Sequence, residues 1–585
     1  MSQLKKLKAA TSLSDLAHLL GFKPGMLSFI LYKCPKATLY RKFDIPKSRG
    51  GSREIWAPEK DLKLVQHRLS DLLQNCIEEI KLAHGHETDG RLGIAHGFKR
   101  GHSILTNARP HVARRYVFNV DLQDFFGSIN FGRVRGLFLK DQNFSLNEKV
   151  ATVLAQIACH ENKLPQGSPC SPVIANLIGH PLDIMLVRLA NATDCTYTRY
   201  ADDLTFSSNK PVFSSRVATR SESDADVWLP GQGLKRLVTK AGFSLNEKKT
   251  RMQYRDSCQQ VTGVVVNRKV NVPAAYRYTV RAMVDHALKT GSFNFVYQKA
   301  GPTGAMTTET AKGANRQLLG MLSYIDWVDC FNKKLCEKSG REFKGAPGRV
   351  ELFRRFLYFD AFYDLSQPVV VCEGPTDNVY LRHAIKSLSA AYPALATSSS
   401  KPQLMVRLFK YGERRTSEIT QLTGGVGGLC HLMKNYHADL TTRIKAPAPK
   451  HPVIVLIDND SGADDIYGAI AGITKKPRPR GMAPFIHVTG NLYVVPTPLG
   501  PNGAKSAIED FFDSVTRATK LGTKTFSREK KINESTEYGK AAFAREVVEK
   551  NAKSIDFTGF APILDRITAA IKDHATRHPP SSSSP

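Results

Sequence analysis

The sequence predicts a multidomain α/β protein, and three observations carry that expectation. Its 585 residues exceed what one hydrophobic core usually serves. Short apolar runs that end in acidic residues occur in two separate stretches, near 116–121 and 196–207 and again near 368–374 and 451–460. Between them lie segments with apolar residues at helical spacing.

Taken in chain order, residues 60–82 (KDLKLVQHRLSDLLQNCIEEIKL) place apolar side chains on one helical stripe and predict an amphipathic helix. YVFNVD (116–121) reads as a strand, and TYTRYADDLTFS (196–207) as two strands around a turn at Ala201–Asp203. VTGVVV (261–266) reads as one more buried strand. From Arg268 to Arg355 helical pattern dominates, and 16 Lys/Arg stand against 7 Asp/Glu, a local net charge of +9. That block suits a nucleic-acid clamp or a merely solvated face. A new unit begins near Gln367. PVVVCEG (368–374), HPVIVLIDND (451–460) and FIHVTGNLYVVPTP (485–498) alternate with helical pattern, which predicts a mostly parallel sheet. The end, HPPSSSSP (578–585), is low-complexity.

Composition narrows the function. Hydrophobic residues make up 42% and charged residues 23%, enough apolar material to exclude a disordered chain. Lys and Arg number 83 against 53 Asp and Glu, a net charge of +30 that calls for a polyanionic partner. No uninterrupted apolar run is long enough to read as a spanning helix, so no membrane partner is expected. The start, MSQLKKLKAATSLSDLAHLL, lacks a secretory pattern, and none of the ten Cys form a C-x-x-C pair. A reducing, cytoplasmic setting and a nucleic-acid partner are therefore expected.

Three carboxylates stand out in the first stretch: Asp121 in FNVDLQDFFGSI, and Asp202 with Asp203 in YADDLTFS. Neighbouring strand residues point to opposite faces, but a turn lets both aspartates reach one edge. With Asp121 on an adjacent strand the site would gather three negative charges, which repel and raise one another's pKa. Mg²⁺ relieves that repulsion through hard oxygen ligands, and two such ions roughly 4 Å apart serve nucleotidyl transfer.

Tyr200-Ala201-Asp202-Asp203 between apolar strands resembles the reverse transcriptases, and an ordered series of motifs extends the resemblance over about residues 30–330. It implies a right-hand fold of fingers, palm and thumb, with fingers and palm in 1–267 and a basic helical thumb in 268–360. FDIPKSRGGSREIWAP (43–58) is similar to the fingers segment that holds the incoming triphosphate, with Lys47 and Arg53 as candidates. Arg53 is preferred, because a guanidinium grips phosphate with two parallel hydrogen bonds. VDLQDFFGSI implies Asp121 as first metal ligand, the Leu122 backbone beside metal or triphosphate, and Phe126 as the sugar gate that favours deoxynucleotides. LPQGSPCSPVIANL (164–177) implies template and nucleotide contacts at Gln166 and Gly167. GFSLNEKKTRM (242–252) implies a lysine at the pyrophosphate, Lys248 or Lys249, with Lys248 slightly preferred.

Asn107-Ala108-Arg109-Pro110-His111, Val261-Thr262-Gly263 and AHGFKRGHSI (95–104) together resemble the retron group. The resemblance implies a cognate non-coding RNA, priming from a guanosine 2′-hydroxyl, a branched RNA–DNA product (msDNA) made from dNTPs, and template removal by a host RNase H. RNA contacts are expected at Asn107 and His111, with a turn cap and a core histidine as the alternative. Arg277 and Arg281 of the basic block are further RNA candidates. An abortive-infection type of reverse transcriptase is the competing expectation.

In the second stretch Glu373 ends one strand, and Asp458 and Asp460 end another. Carboxylates at the carboxyl ends of parallel strands gather where α/β sheets bind ligands. EGPTDNVYL (373–381), TGGVGGL (423–429), IDNDSGADD (457–465) and IEDFF (508–512) resemble a Toprim domain, a Rossmann-like α/β fold, of the overcoming-lysogenization-defect-like nuclease branch. It would span 366–550, followed by a C-terminal helix and tail in 551–585. The resemblance implies Mg²⁺ or Mn²⁺ held by Glu373, Asp377, Asp458 and Asp460, with Glu509 and Asp510 as weaker additions, and Lys540 as the group's late lysine. A nuclease effector in antiphage defence, an inactive scaffold and a homo-oligomer all fit this part of the sequence.

Overall fold

The computed structural model describes residues 2–46, 52–83, 94–224, 226–300, 306–343, 345, 347–412, 414–529 and 531–579. The chain folds into two compact units. One comprises Met1–Arg277, Val296–Glu309 and Trp327–Lys344; the other comprises Tyr278–Phe295, Thr310–Asp326 and Gly345–Pro585.

The first unit is built on a four-stranded antiparallel sheet. Its strands lie in the order Thr196–Tyr200, Asp203–Ser208, Tyr116–Leu122, Leu245–Tyr254. Tyr116–Leu122 is central because Val117, Phe118 and Val120 are buried. Helix Lys60–Ala83 follows the expected stripe and buries Leu62, Val65, Leu69, Leu72, Leu73 and Cys76. Helix Ser171–Asn191 begins with a proline in its first turn, where a missing N–H loses nothing. By length and apolarity it could cross a membrane, but 56% of its apolar window is buried within the protein, as expected of a core helix. A hairpin of Tyr40–Pro46 and Ser52–Pro58 pairs Tyr40 with Pro58 and Pro46 with Ser52.

Two local expectations change. VTGVVV is not one strand. Gln260–Val261 and Val264–Val265 pair antiparallel across Thr262 and Gly263, whose φ angles are +47° and +81°. Positive φ at both central residues is the tight hairpin turn, and Thr-Gly supplies it. The basic block is also not purely helical. Strands Asn294–Ala300 and Met306–Lys312 pair between helices Ala274–Thr290 and Asn315–Lys338. Residues 268–360 are shared between the two units.

The second unit carries a five-stranded sheet in the order Arg407–Leu408, Val369–Cys372, Val453–Ile457, Leu492–Pro496, Ile486–Thr489. The first four run parallel and the last antiparallel at the edge. Val369–Cys372 and Val453–Ile457 are buried throughout, as strands covered on both faces must be. Helix Ala561–Arg577 adds Ile563, Leu564, Ile567 and Ala570 to the core formed by Val370, Cys372, Ile454 and Phe543.

Candidate active site

The palm sheet brings the first acidic set together. Asp121 pairs in register with Asp203 across the two central strands. The Leu122 amide donates to the Asp202 carbonyl at 2.9 Å, which locks the turn to the strand that carries Asp121. Ala201 sits at φ +56°, the bend that separates the two strands. Burial first, and then the charge of Asp121, raises the Asp202 carboxyl above its usual range. Burial, then Asp202 and Asp121, raises Asp203 to about 6. The Lys249 ammonium donates to both Asp121 oxygens, at 3.1 and 3.0 Å.

A cleft of about 870 Å³ opens over Asp121 and Asp202. Arg53, Phe126, Gln166, Gly167 and Lys249 line it, and the backbone-bearing Leu122 lies at its floor. Gly167 has φ +120°, and a Cβ there would meet the Trp56 carbonyl at 2.7 Å. The Trp56 amide donates to the Gln166 carbonyl at 2.8 Å. The fingers hairpin is thereby fastened to the Gln166–Gly167 turn, which fixes the cleft wall that carries Arg53.

Several sequence expectations are corrected. Lys249, not Lys248, lines the cleft. Pairing between the central strand and Leu245–Tyr254 runs from Asn119↔Arg251 to Asp121↔Asn246, so three extra residues bulge out on the lysine strand. A bulge re-aims side chains that simple alternation would have placed elsewhere. Asn107 and His111 are fully buried rather than available to RNA. His111 bonds Ser207 through Nδ1 at 2.7 Å and Thr198 through Nε2 at 2.8 Å, and burial lowers its pKa to about 3. It is a neutral brace between the two strands that flank the Ala201–Asp202 turn. Arg277 and Arg281 lie one turn apart on helix Ala274–Thr290, Arg281 exposed and Arg277 partly buried. Lys47 lies outside the described residues.

Sequence reasoning missed the support beneath the turn. Arg199 is fully buried and bonds Asp183 through Nε at 2.8 Å and Nη2 at 2.6 Å. Its Nη1 donates to the Ala201 carbonyl at 3.0 Å, and Tyr197 donates to Asp183 at 2.9 Å. Gly179 leaves room for the guanidinium, since a Cβ there would stand 2.9 Å from Nη2. Sixteen residues separate the partners, so no local motif announces them.

In the second unit Glu373 follows the strand Val369–Cys372, and Asp458 follows Val453–Ile457. Burial, then Asp377 and Glu509, raises Asp458 to about 8. Burial raises Asp377 to about 6 against a hydrogen bond from the Gly374 amide at 2.8 Å. Burial, Asp460 and Asp377 raise Glu373. Glu509 is fully buried and pairs with Lys540 at 2.9 Å, so these two of the three weaker candidates belong to this cluster. Asp510 turns elsewhere, pairing with Arg528 at 2.7 Å. Asp460 accepts from the Gly462 amide at 2.7 Å.

Among the described residues no three His, Cys, Asp or Glu side chains form a ready-made ligand set for one ion. The donor chemistry nonetheless fits hard divalent cations. Burial and neighbouring acids raise Asp202 and Asp203 in one cluster and Glu373, Asp377 and Asp458 in the other, and each cluster holds one lysine: Lys249 at Asp121, Lys540 at Glu509.

Comparison with known proteins bears on the first unit. Residues 45–266 match the family described as reverse transcriptase (RNA-dependent DNA polymerase). Residues 45–266 of the first unit are thus similar to a reverse transcriptase domain. The relatives it resembles include retron enzymes. The Mx65 retron reverse transcriptase of Myxococcus xanthus is 35% identical over 290 residues, covering 46% of this chain and 61% of the relative. The Mx162 enzyme of the same organism is 33% identical, covering 54% and 64%, and the Ec86 enzyme of Escherichia coli is 32% identical, covering 40% and 65%. The chain thus spans less than two thirds of the length of these relatives. Among solved structures, a telomerase from Candida albicans aligns over 55% of this chain and 64% of its own at 9% identity, with a TM-score of 0.29.

Proposed function

We propose that this chain is the RNA-directed DNA polymerase of a retron, which copies a bound cognate RNA into DNA from a guanosine 2′-hydroxyl. The observation that carries the reading is the pairing of Asp121 with Asp203 beside Asp202, with Asp121 and Asp202 lining a cleft walled by Arg53, Phe126 and Gln166. Paired Mg²⁺ ions, held by the three aspartates and the Leu122 carbonyl, would supply activation of the attacking hydroxyl and neutralisation of the leaving pyrophosphate. The chain's own groups do the rest. Arg53 grips the triphosphate, Phe126 packs against the sugar, the Gln166–Gly167 turn positions the template pair, and Lys249 offers a proton toward the leaving group. Similarity to retron enzymes supports the retron assignment, and the net charge of +30 suits a structured RNA and its msDNA.

The second unit is read as a Toprim nuclease effector acting in antiphage defence. Its support is the cluster of Glu373, Asp377, Asp458, Glu509 and Lys540 at the carboxyl ends of parallel strands. Sequencing the nucleic acid that copurifies tests the first reading. A branched RNA–DNA species supports it, whereas protein-linked DNA without template complementarity supports the abortive-infection alternative. Damaging the DNA strand of the complex, then assaying cleavage with and without Glu373→Ala, tests the second. Cleavage that never appears, or that survives the substitution, leaves the unit a scaffold.

A further inference from the structure

We infer that Phe98 is a substrate-contacting residue of the polymerase cleft, packing against the sugar and base of the primer-terminal nucleotide. The inference rests on the polymerase reading and adds a residue to it. Phe98 has φ +58°. A bulky side chain in that region of backbone space is a rare conformation, and it persists only where surrounding structure enforces it.

The enforcement is visible. The segment before Phe98 is tied to the strand entering the catalytic turn: the His96 amide donates to the Arg199 carbonyl at 2.8 Å, and the Arg199 amide to the Ile94 carbonyl at 2.9 Å. Ala95 and Arg199 form a parallel bridge. Gly97 lies so close to the turn that a Cβ would stand 2.6 Å from the Ala201 nitrogen. Asn176 donates to the Gly97 carbonyl at 2.6 Å, and Gln74 to the Phe98 carbonyl at 3.2 Å. The backbone is therefore clamped on both sides of a strained residue.

What the clamp presents is a ring left 45% exposed on the cleft wall. Burial elsewhere would stabilise a phenyl side chain by roughly 1.5–3 kcal/mol, so the folded chain forgoes that gain here. The ring centroid lies 6.2 Å from Phe126, edge-on, and 6.5 Å from Tyr200. It thus stands between the candidate sugar gate and the residue that opens the catalytic turn, where the incoming nucleotide and primer end meet. Apolar rings accept any base, because every base has a π-face.

The test separates ring from backbone. Phe98→Asn keeps a residue that tolerates positive φ but removes the ring; Phe98→Tyr keeps the ring. Single-nucleotide extension of a defined primer–template is measured against dNTP concentration, alongside quenching of 2-aminopurine placed at the primer terminus. Phe98→Asn should lower the extension rate at saturating dNTP by about 5- to 100-fold, the range of a lost base–aromatic contact. KM for dNTP should stay within about twofold, terminal quenching should fall, and Phe98→Tyr should restore both. Wild-type extension and quenching in Phe98→Asn, or a rise in KM alone, would overturn the assignment while leaving the polymerase reading intact. A wild-type enzyme that extends no primer would sink both.

Discussion

Lys249 holds its ammonium 3.0 Å from the Asp121 carboxylate, in the cleft where a metal cation and a pyrophosphate would meet. One cation thus offsets the charge of a ligand that stands beside two further aspartates. Metal ions held at Asp121 would compete with the lysine for the carboxylate, which would free its ammonium for a leaving pyrophosphate.

Lys249→Ala should therefore slow nucleotide incorporation by about 10²- to 10⁴-fold, the usual contribution of a positioned proton donor. Lys248→Ala should stay within about threefold of wild type. Rapid-quench measurement of single incorporation checks both. Equal losses in the two variants would return the assignment to the open choice that the sequence offers.

Asp202→Ala should abolish DNA synthesis while RNA binding remains within about threefold, because a metal ligand need not contribute affinity for phosphates held elsewhere. Primer extension and electrophoretic mobility shift report the two properties separately. Residual polymerisation in this variant would contradict the site.

The palm acids also set a pH limit. Asp203 titrates near 6 and Asp202 is raised as well, so protonation removes ligand charge as pH falls. The rate at fixed Mg²⁺ should be level above about pH 7 and decline below about 6. Excess Mg²⁺ should shift the decline to lower pH by competing with protons. A decline that ignores Mg²⁺ would point to another group.

Much of this site was legible because its signals are local. Apolar runs ending in acids marked both sheets, and the turn between Tyr200 and Asp203 was readable from four residues. What was not legible depends on distant partners or on broken periodicity. The sequence left His111 and Asn107 open between RNA contact and a core role, and Thr198 and Ser207, some ninety residues away in sequence, hold the histidine in the core. The choice between Lys248 and Lys249 stayed open in the sequence, because the bulge between Asn246, the partner of Asp121, and Arg251 breaks the two-residue repeat. The Thr262–Gly263 turn carried its own signal, a glycine beside a turn-compatible residue, which the apolar run around it masked.

In the second unit the sign of pH dependence is reversed from the common carboxylate case. Asp458 has a folded pKa of about 8 and Asp377 of about 6, both above the ordinary range. The folded state then holds more protons than the unfolded state, and stability falls as pH rises from about 4 toward 8. Melting of metal-free protein followed by circular dichroism should show its second-unit transition drop over that interval. Asp458→Asn should flatten the drop, and added Mn²⁺ should reverse it at pH 8. A transition that rises with pH would mean that these carboxylates are already neutralised by partners.

The Arg199–Asp183 pair gives the sharpest separation between support and chemistry. Both side chains are buried, and the guanidinium also holds the Ala201 carbonyl. Removing one partner of such a pair leaves an uncompensated buried charge, at about 3–5 kcal/mol of stability. Asp183→Asn should therefore lower the melting temperature of the polymerase unit and reduce activity through the slackened turn. Replacing both residues together with apolar ones of similar volume should recover much of the stability, because the lone buried charge is gone. It should not recover activity, since the Ala201 carbonyl would still lack its donor. Melting and extension measured on the single and double variants decide the matter. Recovery of both would show that the pair merely fills space, and recovery of neither that the turn tolerates no other support.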